Sequence, residues 1–165
     1  PSTMRRKLAR SGSRICVNGG ELDLAAFQRI CVIAIGKASA AMARGMSETL
    51  SPDFRAEGIV VAPSLLVNAP PGFRAMAAGH PLPDEGSFAA GRAILELLAT
   101  TGERDLVFFL LSGGGSALVE QPLPPGATLP DVQALHPSPL PSGPPLAPPH
   151  LRSMKSTPCG SICRR

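Results

Sequence analysis

Two short apolar runs, Cys31-Val32-Ile33-Ala34-Ile35 and Leu106-Val107-Phe108-Phe109-Leu110-Leu111, each stop at a glycine turn and hand over to a helix-forming segment. This pairing constrains the fold more than any other feature. Runs of this length and β-branched or large apolar content are what buried strands need. Gly58-Ile59-Val60-Val61-Ala62 reads as another strand, and Phe73 to Ala77 as a short further one. Between them, Ser39 to Leu50 is an Ala- and Met-rich helix, weakened slightly by Gly45. Phe88 to Ala99 is an amphipathic helix with Ser87 as its N-cap and Ile94, Leu95 and Leu98 facing inward. Ser116 to Val119 starts a further helical turn after Gly113-Gly114-Gly115. Upstream, Arg14 to Val17 reads as a short edge strand followed by Asn18-Gly19-Gly20 turn chemistry. Glu21 to Arg29 reads as either one short helix or an extended lead-in. Strands alternating with helices predict an α/β fold: a partial three-layer α/β/α domain with a mainly parallel sheet. Folds of this kind bind ligands beyond the carboxyl ends of their strands, where both glycine turns sit.

The formal charge of +4 is misleading. Residues 1–14 hold five Lys/Arg and no acid, and residues 132–165 hold four Lys/Arg and no acid. The stretch between holds 7 basic and 12 acidic residues, a balance of −5. Basic residues at the two ends, with no basic face on the body, argue against a nucleic-acid partner. No apolar run approaches the roughly 20 residues of a membrane span. The basic N-terminus is not followed by a signal-peptide core, so the cytoplasm is the expected compartment. The cysteines, Cys16, Cys31, Cys159 and Cys163, form no disulfide framework, and the last two near His150 lack the further ligands of a zinc site. The chain opens on Pro1 rather than Met, which reads as a fragment. Seven of the thirteen residues from Pro137 to Pro149 are proline, which no continued helix or central strand survives. The expected organisation is therefore a disordered basic leader over 1–14, an α/β domain over 15–136 and a disordered Pro-rich tail over 137–165.

Three segments carry chemistry. In the first, the strand ending at Leu111 runs into Ser112-Gly113-Gly114-Gly115-Ser116. Glycines let a backbone approach a ligand, and successive N–H groups can face a phosphate or carboxylate. Ser112 and Ser116 add hydroxyls, although no Gly-Lys-Ser/Thr closes the loop as in a P-loop. In the second, Ile33-Ala34-Ile35-Gly36-Lys37-Ala38-Ser39 places Lys37 where a cation meets an anion. A lysine in a first helical turn is mildly opposed by the helix dipole, and the alternative is a solvated side chain. In the third, Gly79-His80-Pro81-Leu82-Pro83-Asp84-Glu85-Gly86-Ser87 offers His80 and Asp84 as polar ligands, against a plain helix cap with Asp84 and Glu85 facing the dipole.

Taken in this order, the three segments resemble the N-terminal domain of the glycerate 2-kinase family that carries a MOFRL-type C-terminal domain. Older members of that family are called hydroxypyruvate reductase. The matching stretches are Gly20 to Met46, Ala78 to Leu98 and Asp105 to His136, with Ser-Gly-Gly-Gly-Ser-Ala-Leu the most specific block. The resemblance implies transfer of the γ-phosphoryl of ATP to the 2-hydroxyl of D-glycerate, giving 2-phosphoglycerate. It implies Lys37 as the catalytic cation, with Ser112, Gly113, Gly114, Gly115 and Ser116 cradling an anionic group and His80 and Asp84 lining the cleft. ATP implies Mg²⁺, for which no ligand set is visible in the sequence. The expected partners are small molecules, glycerate and a nucleotide.

The family continues after the position of His136 with a segment close to Asn-Thr-Val-Arg-Lys-His-Leu-Ser, then Lys-Gly-Gly and a second domain. None of it stands in this chain. Back-translated in a shifted frame, Ser153 to Arg164 permits that segment, so the tail reads as an out-of-frame continuation. A chain so altered is expected to be an inactive piece of the kinase. Two other readings are an NAD(P)H-dependent hydroxypyruvate reductase and a non-catalytic anion-binding remnant. The reductase should show Gly-x-Gly-x-x-Gly after a strand, whereas Gly36 stands alone and Gly113 to Gly115 has the wrong spacing.

Overall fold

In the computed structural model, residues 8–17, 20–64, 68–121 and 126–135 are described. The expectations for the tail, 137–165, and for Cys159 and Cys163 lie outside the described residues.

The main sheet holds β4 (Arg29–Ile35), β5 (Ala56–Ala62), β6 (Phe73–Ala77) and β7 (Asp105–Leu111), in the spatial order β6-β5-β4-β7. All its pairings are parallel, with Ile33 opposite Ile59 on one side and Phe109 on the other. Two longer helices flank it, α1 (Ser39–Leu50) and α2 (Glu85–Ala99). Ile33, Ile35, Ile59, Val61 and Met76 share a core with Ala90, Ala93 and Ile94 of α2. Ile30, Val32 and Phe108 pack instead with Met46 and Leu50 of α1. The pleat thus sends alternate residues of one strand to opposite helices. That is the expected three-layer α/β/α arrangement.

Several expectations are corrected in detail. The helix α2 starts at Glu85 and its N-cap is Asp84, not Ser87, which is instead the third helical residue of a capping box. Leu95 was expected inward and is 49% exposed, because the core-facing stripe runs through Ala90, Ala93 and Ile94. Residues Leu8–Ser11, part of the stretch expected to be unstructured, form β1. It pairs antiparallel with β2 (Arg14–Val17), which pairs antiparallel with β3 (Gly20–Asp23). The lead-in is therefore a strand followed by a short 3-10 turn, Leu24–Ala26, and not one helix. Asp23 caps that turn, and the Ser13 hydroxyl, then the Ala25 amide, hold its carboxyl below the usual carboxylate range. Ile15 and Leu24 drive the docking of this meander, both fully buried in the α1-side core. Further α-helical pieces, α3 (Gly115–Leu118) and α4 (Leu129–Leu135), follow β7. Among the described residues no helix is long and apolar enough to cross a membrane.

Arg10 ties the meander to the turn after α1. Its guanidinium donates to the Gly12 carbonyl (2.7 Å), to Asp53 (2.9 Å) and to the Ser51 carbonyl (3.2 Å), and lies 5.8 Å from the Phe54 ring centre. Asp53 itself is largely exposed, so the carbonyl bonds and the ring stacking matter more than the ion pair. Arg10→Ala is expected to cost about 1–2 kcal/mol. Chemical denaturation checks this, and an unchanged midpoint would show that β1 is held by Ile15 and Leu24 alone.

Candidate functional site

The carboxyl ends of β4 and β7 are side by side, since Ile35 pairs with Leu111. Each chain leaves the sheet by a glycine turn, and the two turns are bonded to each other. The Ser112 amide donates to the Ile35 carbonyl (2.9 Å), and the Lys37 amide donates to the Gly113 carbonyl (3.1 Å). The Ser112 hydroxyl accepts from the Ala38 amide at 3.0 Å and donates to the Ile35 carbonyl at 3.3 Å. Ala38, the N-cap residue of α1, has no capping side chain of its own, so Ser112 supplies the cap from the neighbouring strand. Ser112 is thus placed beneath the loop that carries Lys37, with its hydroxyl already committed. In this arrangement its hydroxyl positions the Lys37 loop.

Lys37 is exposed on the rim of this corner. Gly114, in the left-handed region (φ 86°), is the N-cap of α3. A Cβ built on it would stand 2.5 Å from His80 Cδ2, 2.6 Å from His80 Nε2 and 3.6 Å from Lys37 Cε. The left-handed backbone favours glycine here, and a larger residue would push the His80 ring aside. Segments separated by more than thirty positions, around Lys37, His80 and Gly114, therefore meet at one point. Gly114, Gly115 and Ser116 are the N-cap and first residues of α3, positions whose amides lack intrahelical acceptors, and Gly113 precedes them. Ser116 is exposed beside them.

Asp84 has a different place. Its Oδ1 accepts from the Gly79 amide (2.8 Å) and the Ser87 amide (3.0 Å), while the buried Ser87 hydroxyl donates to the Ala117 carbonyl (2.7 Å). This network folds the His80 loop and clips α2 to α3. The cap reading of Asp84 is the one the geometry carries. Asp84→Ala is expected to cost about 1–2 kcal/mol, the range for losing a capping side chain. Thermal unfolding followed by circular dichroism measures it, and a variant as stable as the parent would separate Asp84 from the capping role.

Ser39, two residues beyond Lys37, carries no site role in the sequence motifs. It is fully buried and its hydroxyl has no partner. Its periodicity with Ala43 and Met46 marks the buried stripe of α1, but the missing partner has no signature in sequence. Cys31 is also fully buried, and burial pushes its thiol up, away from nucleophilic use. Among the described residues no group of three or more His, Cys, Asp or Glu could hold a metal ion. The donors at this corner are an ammonium and N–H groups, which suit an oxyanion and not a hard cation. They do not fit Mg²⁺. A groove of about 850 Å³ lies at the opposite end of the sheet, lined by Arg29, Ser47, Phe54, Arg55 and Gly72. Arg29 is paired with Glu57 there (2.5 Å).

Residues 1–146 match the model of a domain family described as a domain of unknown function, DUF4147. The chain belongs to the DUF4147 family. The D-glycerate 2-kinase of Thermotoga maritima is 41% identical over 116 residues, 70% of this chain and 27% of that protein. A putative hydroxypyruvate reductase of Agrobacterium vitis is 40% identical over 117 residues, 70% of this chain and 29% of that protein. A crystal structure from Pyrococcus horikoshii superposes with a TM-score of 0.68 at 34% identity, covering 78% of this chain and 28% of that one. The resemblance to glycerate 2-kinases drawn from the three motifs is thereby borne out. The DUF4147 chain spans about a quarter of the length of the curated relatives it matches. The reductase reading is not favoured, because glycerate 2-kinases from several organisms match the same stretch and the dinucleotide fingerprint is missing.

Proposed function

We propose that this DUF4147 domain forms one wall of a glycerate 2-kinase site, where the γ-phosphoryl of ATP passes to the 2-hydroxyl of D-glycerate. The observation that carries the reading is the single corner at which Lys37, His80 and the Gly113–Ser116 amides converge. Phosphoryl transfer needs little covalent help from a protein. It needs the acceptor oxygen, the phosphorus and the leaving oxygen in line, and donors on the oxygens that gather charge. The amide nest receives an anionic group, and Lys37 offsets the charge of a carboxylate or a transferring phosphoryl. His80 lines the cleft beside them. Ser112 and Asp84 set the positions of the two loops. ATP is the nucleotide the kinase reading calls for, and Mg²⁺ would take its ligands from elsewhere.

One wall neither excludes water nor aligns two substrates. The 165-residue chain is therefore expected to release ADP in a glycerate-dependent manner only at or near background. A coupled assay for ADP tests this, and robust turnover would overturn the one-wall reading. A non-catalytic anion-binding remnant shares the same corner. It is separated from the kinase by adding the missing wall and assaying again. The boundaries proposed, with the kinase domain ending near residue 136 and an out-of-frame tail beyond, are checked by the coding DNA for His136 to Arg165.

A further inference from the structure

The loop between β6 and α2, residues 79–84, carries His80 to Gly114 and Lys37. It has few means of holding its own shape. Pro81 and Pro83 contribute no N–H donors. Leu82 is 44% exposed and anchors the loop weakly. The loop is fastened at its two limbs instead. On the first, the Gly79 amide donates to the Asp84 carboxylate (2.8 Å). On the second, the Pro83 ring is fully buried, and the Pro83 carbonyl accepts from Gln133 Nε2 at 2.7 Å.

Gln133 stands on α4, fifty positions along the chain from Pro83. With seven residues, α4 is shorter than an isolated helix needs to persist in water. Its first turn is therefore fixed by side chains. The Asp131 carboxylate accepts from the Thr128 amide (2.8 Å) and the Thr128 hydroxyl (2.6 Å), and the Val132 amide donates to the Thr128 carbonyl (3.2 Å). The Thr128 hydroxyl, then its amide, hold the Asp131 carboxyl below the usual carboxylate range. Val132 is 8% exposed, so α4 is seated on the body of the domain, and the next residue, Gln133, reaches the loop. Between the bonded Pro83 carbonyl and His80 stand Pro81 and Leu82. The fixed φ of each proline stiffens this path, so a shift at Pro83 carries to the imidazole. On its other side the His80 ring lies against Gly114, where a built Cβ would stand 2.6 Å from Nε2.

We propose that Gln133 is a positioning residue of the site: through the Pro83 carbonyl it holds the His80 loop, so that the imidazole stays against Gly114 and beside Lys37. Gln133 acts through His80 and is not itself a ligand of the substrate. Residues 126–135 thereby belong to the wall that carries the site. The positioning rests on the hydrogen bond and the packing. Its consequence for turnover rests on the kinase reading above.

The test uses Gln133→Met in the 165-residue chain, which keeps the length of the side chain and removes its N–H donors. The His80 ring protons, assigned by their loss in His80→Asn, are followed by NMR. In Gln133→Met the His80 ring resonances are expected to move toward those of an unstructured histidine, and the cross-peak between the ring and the Gly114 Hα to weaken. Amide exchange of Gly79 is expected to rise about three- to tenfold, the ratio that one net hydrogen bond supplies. Leu135→Ala is the control on the same helix, since Leu135 is 82% exposed, and it must leave these signals in place. Should Gln133→Met fail to fold, Gln133→Asn, which draws the amide back by one methylene, replaces it with the same expected outcome. Unchanged His80 signals would overturn the proposal, and so would a control that disturbs them as much. In a chain extended to the length of its relatives, Gln133→Met is expected to lower kcat about tenfold or more with KM little changed, as loss of alignment does. Displaced His80 signals with an unchanged kcat would overturn the positioning role. An extended parent chain that releases no ADP with glycerate, while its His80 signals still respond to Gln133→Met, would remove the kinase reading and leave the hold on His80 standing.

Discussion

Lys37→Ala, made in a chain extended to the length of its relatives, is expected to lower glycerate-dependent ADP release by about 10²-fold or more, the size of losing one key electrostatic group. The reasoning starts from position. Lys37 stands in the first turn before α1, where the helix dipole disfavours a cation and no nearby structural demand calls for one. Its amide is locked to the Gly113 carbonyl, and its side chain reaches Gly114 alongside His80. An ammonium held at the mouth of an amide nest adds to the field that the nest already presents to an oxyanion. Truncation removes the charge and leaves the backbone bonds intact, so the protein should fold as before. Steady-state turnover measured with saturating ATP decides the matter. Unchanged turnover would remove Lys37 from the site and leave it a solvated side chain.

A large structural effect is expected at the neighbouring residue. Gly36 has φ 116°, a conformation that side chains rarely adopt. A Cβ there would collide with the Ser112 hydroxyl and stand 2.6 Å from the Ser112 carbonyl oxygen. Gly36→Ala therefore combines backbone strain with overpacking against another strand's backbone, for a total cost of about 3 kcal/mol or more. The Ser112–Ala38 bond should break, and Lys37 and Gly113 should move apart. Denaturant unfolding is expected to show the loss in midpoint, and phosphate or nucleotide binding at this corner should weaken together with it. A variant of near-parental stability would mean that the two glycine turns are not held together as described. The same substitution at Gly113, which has open space around its Cβ position, is expected to be far milder.

Much of the fold was legible because it depends on local pattern. The β-branched run Cys31–Ile35 and the segments Gly58–Ala62 and Phe73–Ala77 are strands, and the Ala-rich stretch Ser39–Leu50 is a helix. Each carries its own propensity and its own terminating glycine or turn. Legibility failed where partners far apart in sequence decide. Leu8–Ser11 has no strand signal of its own and becomes β1 by pairing with Arg14–Val17 across a two-residue turn. Leu95 satisfies the helical apolar pattern but lies on the side that α2 turns away from the sheet. Phe109 and Leu111 satisfy the pattern of a buried strand but stand uncovered, because burial depends on which element lies above them.

The candidate site divides in the same way. The sequence by itself determined the ingredients: a lysine between a buried strand and a helix, a serine–glycine nest after a buried strand and a histidine in a proline-stiffened loop. Their chemistry follows from residue type and local backbone, which the chain specifies over a few neighbouring positions. What only the tertiary structure decided is their division of labour. The register that sets Ile35 against Leu111 brings Ser112 under Ala38, where its hydroxyl accepts from the Ala38 amide. The capping of α2 takes the Asp84 carboxylate into the loop, and the approach of three distant segments to Gly114 places His80 beside Lys37. Hydrogen bonds saturate donors and acceptors one by one, so which polar groups remain for a ligand is settled only after the strands have paired and the helices have packed.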